Sequence, residues 1–387
     1  MQKVDIIISG GGMVGAVAAN AFSAAGFEVA LIEAGEQTTF AEESPRSLRV
    51  SAIAQKHLDQ FAVLGVDTFL YPSRLGPYRY MTVWDNGSRG ELDFSADTQS
   101  NLGAIIENTH VVFAAQQRLD QLPRVHTFYR NQITEFKQTE RKVVVQLKAG
   151  DELQAGLLIA CEGAGSPLRK EAGIEVRQKS YQQRAMVAYL EVEKAPQQSA
   201  LQAFNLTGPV ALLPFGGNLF SMVWSCDEAL VDSWLEADDA TFINGLQAHL
   251  QRDFGDIKLL SKRAAFPLQQ MYAAQTVKQR LVLLGDAAHV VHPLAGQGVN
   301  LGLSDVTELV QQLSAVNIKD AVNLDRALRK YQRRRRSEVI KTSELMSFLH
   351  GFYRIEQPAL SWLRSAGMLT INRLPPLKNW LLQQAGS

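Results

Sequence analysis

Cysteine is scarce in this chain: two residues, Cys161 and Cys226, in a length of 387. Both sit in apolar, strand-like contexts and offer neither a disulfide framework nor the paired spacing of a zinc site. A reducing, cytoplasmic setting is expected. No apolar run approaches the roughly 18 residues that a membrane-spanning helix needs. The N-terminus opens directly on an apolar strand, without a charged leader and cleavage site, so no secretory signal is expected. Repeats and low-complexity linkers are missing. Net charge is missing too, since 39 Lys and Arg balance 39 Asp and Glu. With no recognised nucleic-acid module, that balance argues against nucleic acid as a partner. No nucleophilic triad or carboxylate pair stands out either, so the chemistry has to come from a bound group.

What the chain does have is glycine in two places that need each other. The first segment is Gly10-Gly11-Gly12-Met13-Val14-Gly15. It follows an apolar run, Val4 to Ile8, that reads as a buried parallel strand. An alanine-rich stretch from Val14 to Ala25 predicts a helix closed by Gly26. A second strand, Val29 to Ile32, then delivers Glu33. This strand–turn–helix–strand context makes the pattern a nucleotide site. Gly10 permits the tight turn, Gly12 lets backbone approach a pyrophosphate, and Gly15 lets the helix pack on the strand. The helix N-terminus offers free amides and partial positive charge to that pyrophosphate. Glu33 lies 18 residues beyond Gly15, where a carboxylate can accept from the adenosine ribose hydroxyls. It would repel a 2′-phosphate, which points to FAD or NAD rather than NADP at this site.

The second segment begins about 270 residues later. Leu281 to Leu284 reads as a strand ending in Gly285-Asp286, a carboxylate at the sheet edge where ligands of open α/β sheets bind. NAD has no use for a second carboxylate so far along the chain, whereas FAD carries ribityl hydroxyls that need an acceptor. Gly296, Gly298 and Gly302 open another helix-like stretch, whose amides could face the flavin edge that becomes anionic on reduction. His289 and His292 beside Asp286 are also metal-ligand types, but flavin accounts for the same residues and no metal is expected. A third strand-like run, Leu157 to Ala160, leads into Cys161-Glu162-Gly163-Ala164-Gly165-Ser166-Pro167-Leu168-Arg169, which suits a nucleotide-facing turn.

In order and spacing, these three segments resemble the class A flavin aromatic hydroxylases, whose type fold is that of para-hydroxybenzoate hydroxylase. The string HPLAGQGVNLGLSD, from His292 to Asp305, is similar specifically to the ubiquinone-biosynthesis hydroxylases within that class. Further matching pieces are Arg49-Val50-Ser51-Ala52-Ile53, Met81-Thr82-Val83-Trp84-Asp85, Ile106-Glu107-Asn108 and Phe266-Pro267-Leu268. The resemblance covers nearly the whole chain. It implies FAD contacts at Gly10, Gly12, Gly15, Glu33, Asn108 and Asp286. It also implies flavin-proximal roles for Arg49 and for the turn formed by Gly296, Gln297, Gly298 and Asn300. NAD(P)H is the implied reductant, docking transiently near Arg49 and Glu162, and O₂ the co-substrate, with oxygen delivered to a phenol ring through a flavin hydroperoxide. One position departs from the family: its middle motif usually begins Asp-Gly, and here it is Glu162-Gly163, a methylene longer. No catalytic base can be nominated; His110, His289 and His292 are candidates by residue type alone.

The implied fold class is α/β: a Rossmann-like FAD-binding domain with a parallel sheet, an inserted mixed β-sheet substrate domain and a C-terminal helical region. The chain is too long for one ordinary core. Residues 1–70, 100–175 and 265–340 are expected to form the FAD domain, residues 71–99 and 176–264 the substrate domain, and 341–387 the helical region. Gly216-Gly217-Asn218 predicts a hairpin before Leu219 to Trp224. The apolar set Leu212, Phe215, Phe220, Met222 and Trp224 is either core or a wall for a greasy substrate. The tract Tyr78 to Phe94 is most similar to hydroxylases acting at ring C5 of a 2-polyprenylphenol. Ring C1 or C6, a soluble phenol, or a non-catalytic FAD-containing subunit of a quinone-synthesis complex are the alternatives. From Arg326 onward, 12 Lys and Arg face 3 Asp and Glu, interleaved with large apolar residues. That tail either docks on an inner-membrane surface or a ubiquinone-biosynthesis complex, or packs as helices with its arginines solvated or paired to the acidic body.

Overall fold

The computed structural model describes residues 1–88, 90–96, 100–291, 298–353, 355, 358–374 and 378. Its centre is a six-stranded sheet in which Leu281–Leu283, Leu157–Ala160, Ile6–Ser9, Val29–Ile32 and Val125–Phe128 run parallel in that spatial order. The innermost strands are fully buried and, Ser9 apart, apolar, because helices and a second sheet cover both faces. The first strand begins at Ile6 rather than Val4, because Gln2–Lys3 pairs instead with Glu152–Ala155 in a separate four-stranded sheet. Helix Met13–Ala24 follows the glycine turn, and Gly26 ends it at φ +94°.

Residues of chemical interest gather at the carboxyl ends of three neighbouring strands. Ile6–Ser9 feeds the first glycine turn, Leu157–Ala160 feeds Cys161 and Glu162, and Leu281–Leu283 feeds Gly285 and Asp286. Segments remote in sequence meet here because parallel register aligns Ala160 with both Ser9 and Leu283.

A nine-stranded mixed sheet stands opposite. Its longest strand, Val176–Val192, pairs with Leu219–Asp227 and with Ala264–Ala273. The sequence pattern pointed only to Ala185–Val192; residues 176–180 are exposed and lack apolar alternation, and a register shift between Ser180 and Gln183 breaks the period. The predicted hairpin is present, with Val210–Pro214 antiparallel to Leu219–Asp227. Leu212, Phe220, Met222 and Trp224 are fully buried beneath helices Glu228–Glu236 and Asp239–Leu250, and Phe215 lies in an adjoining core. The core alternative therefore describes these four, whereas Phe215 lies on the opposite face of the sheet, in one cluster with Tyr189, Leu213 and Val223.

Two helices, Ala321–Tyr353 and Pro358–Arg373, end the described chain. The second is pinned to strand Tyr80–Asp85 by a buried ion pair, Arg364 Nε to Asp85 Oδ2 at 2.7 Å, and the first ends on Tyr353, which stacks 4.0 Å from Phe204 of strand Ser199–Phe204. Among the described residues, no helix is long and apolar enough to cross a membrane.

Candidate functional site

Between the strand ends and the nine-stranded sheet lies a cleft of about 890 Å³. Gly10, Gly12, Glu33, Arg49, Asn108, Glu162, Asp286 and Gly298 all line it. The structure thus brings eight of the twelve sequence-predicted positions to one surface. Gly15 and Asn300 stand behind that surface, while Gly296, Gln297 and the candidate base His292 fall outside the described residues.

The glycine turn is shaped by close backbone contact. Gly10 adopts φ +99°, and a Cβ there would lie 2.5 Å from the Cys161 carbonyl oxygen. A Cβ on Gly15 would lie 1.8 Å from the Gly10 carbonyl oxygen, so helix Met13–Ala24 could not sit on its strand with any side chain there. Gly12 differs: a Cβ would meet nothing within 4 Å. It faces open cleft at the N-cap of a helix whose first turn holds no acidic residue, so the partial positive charge of the helix end remains available to an anion. Beside it, the Glu33 carboxylate accepts from Gly11 N at 2.5 Å and Gly35 N at 2.7 Å, which fixes it at the cleft edge.

Asp286 follows Gly285 at the start of a short 3-10 turn. Among the described residues its carboxylate accepts no hydrogen bond, and it stands open to the cleft with protein enclosing it on its other sides. That enclosure raises its pKa, against the opposing fields of His289 and Arg49. The turn is held from behind: Asp305 Oδ2 accepts from Gly285 N at 2.9 Å and pairs with His289 Nε2 at 2.7 Å. Asp305 Oδ1 receives Arg335 Nε at 2.6 Å. Burial acts to raise the Asp305 pKa, but His289 and Arg335 outweigh it and hold the carboxyl below its ordinary range. His289 is therefore committed to a buried carboxylate.

Arg49 is positioned by a second buried pair. Arg74 meets Glu107 at 2.7 Å, and Glu107, with no exposed surface, also accepts from Ser47 N at 2.6 Å. This fixes the segment that ends at Arg49, whose guanidinium lies 5.4 Å over the Phe266 ring on the opposite wall. Asn108 accepts from Ser51 Oγ at 2.8 Å. Asn300 bridges to Ala52 O and Ala54 N at 2.9 and 3.1 Å, tying helix Gly298–Leu313 to the strand carrying Ser51. His110 accepts from Tyr71 N at 3.0 Å and stacks on Phe40; burial and then Arg74 lower its pKa to about 4. It lies outside the cleft lining.

The far wall is apolar: Ala185, Val187, Val223, Phe266 and Leu268. These belong to the sheet face opposite the Met222–Trp224 core, since side chains alternate along a strand. Sequence reasoning missed this face because small aliphatic residues on a two-sided buried sheet carry no distinguishing period. It also missed Ser9 and the Arg335–Asp305 pair, for which a lone arginine on the buried side of a basic helix was the only available signal. Cys161 reaches the cleft, but burial pushes its thiol pKa well up, so it is no thiolate nucleophile.

A large cleft, an unshielded helix N-terminus, an outward-facing Gly12 and an unpartnered carboxylate fit a dinucleotide with a polyhydroxyl chain. The profile of a family described as FAD binding domain matches residues 3–344. The chain is 32% identical over 386 residues to the 3-demethoxyubiquinol 3-hydroxylase of Escherichia coli (strain K12), covering 99% of this chain and 98% of that protein. It is 31% identical over 431 residues to the mitochondrial ubiquinone biosynthesis monooxygenase COQ6 of Homo sapiens, covering 98% and 91% respectively. Among solved structures, p-nitrophenol 4-monooxygenase PnpA from Pseudomonas putida DLL-E4 aligns with a TM-score of 0.75 at 18% identity, over 100% of this chain and 99% of that one. That last likeness is one of fold.

Proposed function

The chain belongs to the FAD binding domain family and is an FAD-dependent monooxygenase, and from that premise we propose that it hydroxylates the ring of a polyprenylated phenol on the route to ubiquinone. The observation that carries this reading is the two-sided cleft, a dinucleotide cradle on one wall and an aliphatic sheet face on the other. Gly12 and the helix end behind it would take the pyrophosphate, Glu33 the adenosine ribose, and Asp286 the ribityl hydroxyls. FAD, reduced by NAD(P)H, supplies the activation of O₂ for transfer of one oxygen atom to an electron-rich ring. The protein contributes placement and dryness: Val187, Val223, Phe266 and Leu268 exclude water from the ring's approach. Arg49 provides a cation where the two walls meet, suited to an anionic reductant.

The similarity of Tyr78 to Phe94 to ring-C5 hydroxylases of a 2-polyprenylphenol favours that carbon. A second reading, position 3 of a demethoxyubiquinol, is favoured by the name of the bacterial relative. The test is the quinone-lipid profile, by mass spectrometry, of the source cell lacking this gene. An accumulating polyprenylated ring that lacks one hydroxyl supports the proposal, and its substitution pattern selects between the two carbons. An unchanged ubiquinone pool, in a strain without a redundant hydroxylase, overturns the substrate assignment.

A further inference from the structure

The residue that departs from the family pattern, Glu162, has a distinctive environment. It follows the strand Leu157–Ala160, whose neighbour Ile6–Ser9 ends level with it, Ala160 opposite Ser9. Its Oε1 accepts from Ser9 Oγ at 2.7 Å. Its Oε2 accepts from Ser166 Oγ at 2.6 Å and from Leu168 N at 3.1 Å. Three donors thus occupy a carboxylate with about four acceptor sites. Ser166, fully buried, also receives Arg169 N at 3.2 Å. Arg169, almost fully buried, spans from Ala164 O at 2.6 Å to Ala287 O at 2.9 Å, next to Asp286. One hydrogen-bonded chain therefore runs from Ser9 through Glu162, Ser166 and Arg169 to Ala287. It joins the ends of the three strands that form the cradle.

We infer that Glu162 is a positioning residue that fixes the spacing of the three cradle turns, rather than a direct partner of the bound dinucleotide. The inference rests on the assignment of the cleft to FAD. An aspartate here would fall short by about 1.5 Å, one C–C bond, and could not meet Ser9 and Ser166 together. The extra methylene is what lets one side chain span two strand ends. In this chain the longer residue is matched to its two serines.

The test is titration of apoprotein with FAD, followed by flavin fluorescence and visible circular dichroism, for wild type, Glu162→Asp, Ser166→Ala, Ser9→Ala and the Glu162→Asp/Ser166→Ala double variant. Losing one charge-assisted hydrogen bond should weaken FAD binding about tenfold. Glu162→Asp and Ser166→Ala should each show that loss, and the double variant should be little worse than the poorer single, because either change opens the same chain. Ser9→Ala leaves the carboxylate in place, yet should alter the dichroism of the bound flavin and weaken its binding. Should Glu162→Asp prove too unstable to isolate, the two serine variants carry the test. Unchanged or tighter binding in Glu162→Asp, or serine variants indistinguishable from wild type, would overturn the inference. Wild-type apoprotein that binds no FAD would instead remove the cofactor assignment on which it rests.

Discussion

Replacing Arg335 with alanine tests whether the basic run Arg333 to Arg336 is a solvated face or part of the cofactor scaffold. In the structure the run is divided. Arg333, Arg334 and Arg336 are exposed, whereas Arg335 is 2% exposed and its Nε lies 2.6 Å from Asp305, which is 1% exposed. Breaking a buried pair by removing one partner costs about 3–5 kcal/mol, because a charge is left uncompensated. Asp305 keeps His289 and Gly285 N, which places the expected loss near the lower bound, about 3 kcal/mol. Urea unfolding should show that loss, whereas Arg336→Ala should stay within about 0.5 kcal/mol. Adding Asp305→Asn to Arg335→Ala should recover part of the loss, since the stranded charge is gone. The pH dependence has a definite sign. Asp305 is held below the ordinary carboxyl range in the folded state, so it contributes stability above the unfolded carboxyl pKa, and that contribution is lost as pH falls through the folded value. Without Arg335 the folded value rises, so acid unfolding should begin at higher pH. An Arg335→Ala protein as stable as Arg336→Ala would refute the reasoning.

Asp286→Ala should purify with little or no flavin, since the unpartnered carboxylate at the cleft is the proposed ribityl acceptor; full occupancy, read from the absorbance ratio of flavin to protein, would defeat that assignment. Beyond Phe352 the helical tail exposes Ile355, Leu369 and Leu374 at 41, 49 and 46%. Co-sedimentation with anionic vesicles should therefore fall when the chain is truncated after Phe352, and unchanged sedimentation would return these residues to a packing role.

The parts of this fold that were legible in the sequence are those where backbone geometry leaves few residue choices. Gly10 must hold a positive φ, Gly15 must admit a carbonyl oxygen where a Cβ would stand, and a fully buried parallel strand such as Val29–Ile32 has to be continuously apolar. Such constraints act within a few residues, and short motifs record them. The apolar wall was illegible for the opposite reason. Val187 and Val223 would serve equally well as core, and only the register of Val176–Val192 against Leu219–Asp227 turns them to the cleft. Charge was legible as a total but not as an arrangement. The sequence showed an excess of cations after Arg326, yet two of them, Arg335 and Arg364, are buried against Asp305 and Asp85, about 30 and 280 residues away in sequence. Arg334 pairs with Glu308 as well. The surface charge available for an anionic partner is thus smaller than the composition implies, and in a tail docked on lipid the exposed apolar residues would supply a larger share of the binding free energy. Glu162 joins both cases: read alone it looked like a misfit for its motif, and it becomes intelligible only when Ser9 and Ser166 are seen on either side of it.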